Sequence, residues 1–216
     1  MKKILISFFG LLFMGSVASA AVNIGVSLSA GGFEASGTET ENNEKNRDDA
    51  VGAVSYGSIF LEKTLGDRLT LGIDYVPSSL DTETQESTFD DVKGKGDGAS
   101  AQTTNSIKAS FEDLTTIYLN INVTENMYLK AGFASVDVNT GETLNTGSQY
   151  NDGEMDGEVF GVGYTNTFGN GMFMRVEGQY MDMGSLSLTS TTNSDNKVSI
   201  DSLTGVSGAI KIGKSF

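Results

Sequence analysis

The 216-residue chain has no cysteine, no histidine and no tryptophan, and only one proline. Without cysteine, an exported protein must draw its stability from something other than disulfides. Catalysis by serine or aspartate would need a base other than histidine, and no arrangement of lysines suggests one. Basic residues are scarce: 14 Lys and Arg stand against 28 Asp and Glu, a formal net charge of -14. That balance excludes nucleic acid as a partner, because phosphate binding relies on Lys and Arg. Long apolar runs are also missing. After Ala20 no segment approaches the roughly 20 residues that a membrane-spanning helix needs.

The one apolar stretch lies at the start. Lys2 and Lys3 precede the run Ile4 to Val17, and Ala18-Ser19-Ala20 supplies a small-residue cleavage pattern. Ser7, Gly10 and Gly15 interrupt the run and no basic cluster follows it, so it reads as a cleaved Sec signal peptide rather than an uncleaved helix. Residues 1–20 are thus a signal and 21–216 a single domain. Loss of Lys2 and Lys3 takes the net charge from -14 to -16.

Beyond the signal, the chain alternates with a period of two, the mark of strands with two unlike faces. Val22, Ile24, Val26, Leu28 and Ala30 oppose Asn23, Gly25, Ser27, Ser29 and Gly31. Phe33 breaks that parity, which predicts a bulge or strand end near Gly31-Gly32. The polar stretch Thr38 to Asp49 reads as a loop. From about Ala50 to Thr64 both parities carry bulk; Ile59 and Leu61 are placed outside, because the alternative aims Glu62 at lipid. Leu65-Gly66-Asp67 turns the chain into Leu69, Leu71, Ile73 and Tyr75, whose opposite face is Thr70, Gly72 and Asp74, with Pro77 at the far end. A long polar loop spans Asp81 to about Lys108 and contains Lys93-Gly-Lys-Gly-Asp-Gly98. Then come Ile117 to Val123, a turn at Thr124-Glu125-Asn126, and Met127 to Phe133. A second acidic loop covers about Asn139 to Gly157, followed by Phe160 to Thr165, the Gly169-Asn170-Gly171 turn, Met172 to Tyr180, the loop Gly184 to about Lys197, and Val206 to Phe216.

Eight strands result, and their connections alternate long and short. In an up-and-down barrel successive connections emerge at opposite ends, so four long acidic loops gather on one side and three tight turns on the other. An all-β, eight-stranded antiparallel up-and-down transmembrane β-barrel follows, with the turns periplasmic and the loops extracellular. A soluble eight-stranded lipocalin also has alternating strands but would put the apolar face inside. The one-sided loop lengths, the absence of cysteine and of a flanking helix, and the terminal Phe216 weigh against it. Tyr75, Phe133, Tyr164, Phe168, Tyr180 and Phe216 near strand ends suit interfacial aromatic girdles.

On the polar faces stand Glu62, Asp74, Lys130, Arg175, Glu177 and Lys211, mixed in sign. Eight strands enclose an interior that side chains fill, so these groups are expected to pair as a plug, with Glu62 and Arg175 as its leading members; a small ion path past the plug is the alternative. Other motifs fade on inspection. Asp152-Gly-Glu-Met-Asp156-Gly157 begins like a calcium loop, but its twelfth position is Gly163 rather than an acid. Glu39, Glu41, Glu44, Asp48 and Asp49 form a charge run that keeps a loop solvated or holds divalent cations weakly. Gly161-x-Gly163 lacks the strand-to-helix setting of a dinucleotide site, and Lys95-Gly-Asp97 is too short to carry specificity. No catalytic residue, metal site or cofactor is expected.

The signal, the eight dyad strands, the alternating loops and Phe216 together resemble small outer-membrane barrels of the OmpA/OmpX-like superfamily. Leu71-Gly-Ile-Asp-Tyr75 and Val162-Gly-Tyr164 are similar to segments typical of that group. The resemblance covers nearly the whole mature chain and implies an outer-membrane protein among lipids and lipopolysaccharide, monomeric, with Phe216 read by the barrel-assembly machinery as part of the assembly signal. Enzymes among such barrels use histidine, which this chain lacks. No peptidoglycan-binding domain follows Phe216, so an anchoring role does not carry over, and Lys214 stands where the family more often has an apolar group. The functional expectation is a structural or surface-contact protein; the alternative is a narrow porin-like channel, and a less favoured one an outer-membrane enzyme.

Overall fold

A computed structural model describes residues 21–41, 44–81, 85–92, 100–143 and 148–216; side chains are described for 21–40, 45–80, 109–141 and 148–216. The signal segment Met1–Ala20, the Lys93–Gly98 stretch with its Lys95-Gly-Asp97 tripeptide, and the side chains of Glu41 and Glu44 lie outside them.

The described residues form strands and no helix: β1 (Val22–Glu41), β2 (Glu44–Leu65), β3 (Leu69–Tyr75), β4 (Leu80–Asp81), β5 (Gln85–Val92), β6 (Ser100–Asn122), β7 (Met127–Thr143), β8 (Gly153–Thr167), β9 (Met172–Met183), β10 (Leu186–Thr189) and β11 (Lys197–Ser215). Eight of them, β1, β2, β3, β6, β7, β8, β9 and β11, pair antiparallel in a ring that β11 closes onto β1. Val22 and Phe216 seal the seam by exchanging two backbone hydrogen bonds, of 3.2 and 2.9 Å. The short strands β4 and β5 pair with β6, and β10 with β11.

The stagger of this ring sets its size. Stepping from Ile24 through cross-strand partners passes Leu61, Ile73, Ile117, Phe133, Glu158, Asp182 and Thr204 and returns to β1 at Glu34, ten residues nearer the loops. With about 3.3 Å per residue and about 4.8 Å between strands, that stagger gives a tilt of about 40° and a radius of about 8 Å. Such a cylinder has room for side chains and little else.

The two faces sort by parity. Ile24, Val26, Leu28, Ile59, Leu129, Val162, Val176, Ile210 and Ile212 point outward and are exposed, as are all six girdle aromatics. Glu62, Phe60 and Tyr56 of β2 point inward, so Ile59 and Leu61 do stand outside. The outward apolar band ends at Glu158 and Asp182 on the loop side and near Arg68 and the exposed Lys214 on the turn side, the latter with its ammonium 5.2 Å from the Phe216 ring. Lys214 can thus snorkel along an aromatic toward the headgroups.

Several boundaries differ from the sequence reading. Three of the long connections are narrower than expected, because the strands continue past the apolar band: β1 and β2 reach Glu41 and Glu44, β6 starts at Ser100, and β7 and β8 extend to Thr143 and from Gly153, whereas the last connection lies between Met183 and Lys197 as expected. At the outer ends of these strands both faces meet water, so the two-solvent alternation that marks a strand disappears while its hydrogen bonds persist. Nor is there a bulge at Gly31-Gly32. Pairing runs unbroken there, and Phe33 points inward to pack against an inner apolar cluster. The register slips instead at Ser36/Gly37, opposite Asp201, whose carboxylate accepts bonds from the Thr38 and Ser199 hydroxyls at 2.6 and 3.0 Å. Those bonds hold its pKa below the usual carboxylate range. A second slip lies at Glu112/Thr115, where Asp113 takes a left-handed φ of 55° and accepts a 2.6 Å bond from the Tyr75 hydroxyl.

Ile210→Arg, near the middle of the band, is expected to lower barrel stability by about 2–4 kcal/mol, whereas Val51→Arg, above it, stays within about 0.5 kcal/mol. Urea unfolding in lipid vesicles, read by the heat-modifiable gel shift, measures both.

Candidate functional site

The inward face of the ring carries a layer of charge. Glu62 (β2), Asp74 (β3), Lys130 (β7), Arg175 and Glu177 (β9) and Lys211 (β11) come from five strands and meet inside the barrel. Arg175 Nη1 lies 2.6 Å from Glu62 Oε1, and Lys130 Nζ 2.9 Å from Glu177 Oε1. Lys211 Nζ bridges two acids, at 3.1 Å from Asp74 Oδ2 and 3.3 Å from Glu177 Oε1. Three cations thus face three anions. The layer is neutral, as a charged cluster so deeply buried must be to escape most of its desolvation cost.

Neutral donors saturate the carboxylates. Glu62, with none of its surface accessible, accepts from the Tyr118 hydroxyl at 2.9 Å, Asn23 Nδ2 at 3.1 Å and Asn120 Nδ2 at 3.4 Å. Glu177 accepts from the Tyr128 hydroxyl at 2.7 Å, and Lys130 also donates to Gln179 Oε1 at 3.2 Å. Aromatic faces take up the cations: Arg175 lies 4.4 Å from the Phe173 ring centre and Lys130 4.3 Å from that of Tyr118. Among the described residues, Asn120 Oδ1 and Arg175 Nε are buried without a partner.

Two glycines make the tyrosines fit. A Cβ at Gly72 would collide with the Tyr118 ring, and one at Gly163 with the ring and hydroxyl of Tyr128. Gly163, second glycine of the Gly161-x-Gly163 pair, is therefore a slot for the side chain that holds Glu177.

On the loop side of the charges, Tyr56, Val76, Leu114, Val136, Met155, Val159, Met181 and Met183 form a buried apolar cluster. The polar and small residues on the inner parity predict an interior of polar groups, and this apolar layer departs from that expectation. The signal was present in Phe33, Val136 and Val138, bulky residues standing on the inner parity. Between the two layers is a cavity of about 10 Å³, lined by Asp74, Lys130, Glu177 and Lys211 on one side and Val76, Leu114 and Met181 on the other. It has space for about one water molecule.

Glu39, Asp48 and Asp49 lie along the β1–β2 hairpin, and no grouping of three acids among the described residues is arranged to hold a metal. Asp152 sits beside the start of β8 and Asp156 within it, a straight strand that cannot wrap a cation.

No family model matches the chain, and no curated protein does. Among solved structures it is similar to the outer membrane protein OprG from Pseudomonas aeruginosa, with a TM-score of 0.56 at 12% identity over 92% of this chain and 96% of that one. It is also similar to the outer membrane protein AlkL, seen in lipid bilayers, with a TM-score of 0.51 at 10% identity over 94% and 92% of the two chains. At such identities the likeness is one of fold: the chain has the fold of small outer-membrane β-barrels.

Arg175→Met strands Glu62 as a buried anion and is expected to cost about 3–5 kcal/mol, most of which Glu62→Gln combined with Arg175→Met restores. A double-mutant cycle on urea midpoints checks it. Gly72→Val, which drives the Tyr118 ring from Glu62, is expected to cost about 1–3 kcal/mol in the same assay.

Proposed function

We propose that the mature chain is an integral outer-membrane protein, monomeric, whose barrel is closed by its own side chains and whose work is done by the walls and loops that rise above the lipid. The observation that carries this reading is the layered interior. A neutral salt-bridged layer lies under an apolar cluster, and the space between them admits about one water. An eight-stranded ring is also too narrow for an aqueous pore unless its filling moves.

The outer-membrane location draws support from the outward apolar band, the exposed girdle aromatics and the fold shared with OprG and AlkL. Outer-membrane lipids, with lipopolysaccharide in the outer leaflet, are the solvent of that band. Residues 1–20 act in this reading as the cleaved Sec signal. Phe216, which follows the sealing strand, is in this reading the group offered to the barrel-assembly machinery; its ring is exposed while its backbone bonds to Val22. The role is structural or one of surface contact, with no catalytic step.

Reconstituted into planar bilayers, the folded protein is expected to be silent. Reproducible discrete conductance steps would favour the narrow channel instead. Deleting Phe216 is expected to lower the amount of heat-modifiable barrel in outer-membrane fractions, and unchanged assembly would remove it from the signal.

A further inference from the structure

The barrel wall has one unmatched stretch. β2 runs for 22 residues, but β3 accompanies it only from Ile59 to Leu65. Beyond Ile59, among the described residues, β2 pairs with β1 alone, while β4 and β5 follow β6 instead. The amide of Thr64 donates to the Ala21 carbonyl, which places the even-numbered amides of β2 on the β1 side. With no slip in that pairing, the N–H and C=O groups of Arg47, Val51, Ala53, Ser55 and Gly57 point away from β1 along an edge that no strand among the described residues pairs with; the Asp49 amide in the same row donates to Asp48 Oδ1 at 2.9 Å.

Natural sheets protect such edges with lysine, proline, a bulge or a cover. From Ala50 to Ser58 this strand has no charge, no proline and no bulge, and Val51 is 83% exposed. We infer that this edge is a docking site for an extended segment of another polypeptide, which adds to β2 as an antiparallel strand. The function proposed above is deepened rather than replaced: the edge is one of the contact surfaces which that reading assigns to the emergent wall.

The occupant is not a second copy in the same membrane. Two barrels related by an axis along the membrane normal would cross these strands at about 80°, twice the tilt of about 40°, whereas antiparallel pairing needs them aligned. The chemistry of the row describes the partner instead. Ala53 and Gly57 leave the outer face of the edge almost bare, so bulky apolar side chains opposite them bury the most surface. Higher up, Arg47 lies 4.0 Å from Asp49 on the same face, while Lys45 presents an exposed cation there and calls for an acidic residue at that end of the incoming strand.

The test uses the mature protein folded in lipid nanodiscs and a synthetic twelve-residue peptide of alternating Thr and Phe that ends in two Glu. Residue-resolved hydrogen exchange is expected to show the Val51, Ala53, Ser55 and Gly57 amides exchanging freely without peptide and at least tenfold more slowly with it. Ala53→Pro removes one outward donor while sparing the β1 ladder. It is expected to weaken peptide binding at least tenfold with an unchanged heat-modifiable shift; Ser55→Pro serves in the same way should Ala53→Pro fail to fold. Protection of these amides before peptide is added overturns the inference, since the chain then closes its own edge. It is equally overturned by exchange that millimolar peptide leaves unchanged, or by folded proline variants that bind as well as the parent. None of these results bears on whether the interior conducts, which the bilayer recordings decide separately.

Discussion

Backbone hydrogen bonding in a medium without water governs this molecule. A strand in hydrocarbon has no solvent to satisfy its N–H and C=O groups, so every one needs a neighbouring strand and the sheet must close. Closure falls to the pairing of β11 with β1, which runs from Asn23 with Ser215 to Thr40 with Lys197. The consequences spread from there. Eight strands and a stagger of ten determine the tilt and a radius of about 8 Å, and that radius decides that the inside is filled by side chains.

The filling answers a second constraint. Polar side chains brought inside a narrow cylinder lose their water and must find one another, which is why Glu62 collects four donors and Lys211 bridges two acids. A buried ion pair is not by itself a strong source of stability; an unpaired buried ion is a large loss. The layer is therefore better seen as a device that punishes misalignment. Shift β9 by one residue against its neighbours, and Arg175 and Glu177 both leave their partners for lipid. Tyr118 and Tyr128, seated over glycines, tie that layer to the wall.

Above the apolar band the constraint relaxes, and the architecture changes with it. Strands there can end, slip or stand unpaired, because water satisfies what a neighbour does not. Both register slips, at Ser36/Gly37 and Glu112/Thr115, and the lone edge of β2 lie on the loop side. Variation is tolerated where solvent is near.

The alternation of residues such as Ile210 and Ile212 with Lys211 and Gly213 was enough, read alone, to establish the eight strands of the ring, their outward faces and the side on which the loops gather, but not the short strands β4, β5 and β10. That is because a strand between two solvents writes its period into composition. The same logic picked out Glu62, Asp74, Lys130, Arg175, Glu177 and Lys211 as inward charges. What they touch was not legible: contacts across the barrel depend on the stagger, and a one-residue change in stagger leaves the sequence pattern almost unaltered. The outer ends of the strands were hidden because both faces there meet the same solvent. Phe33 looked like an error of parity because the apolar cluster it joins exists only once β2, β6, β7, β8 and β9 are brought together. Tertiary structure alone decided the register, the inner apolar layer and the open edge of β2, since each arises from hydrogen bonds between strands far apart in sequence.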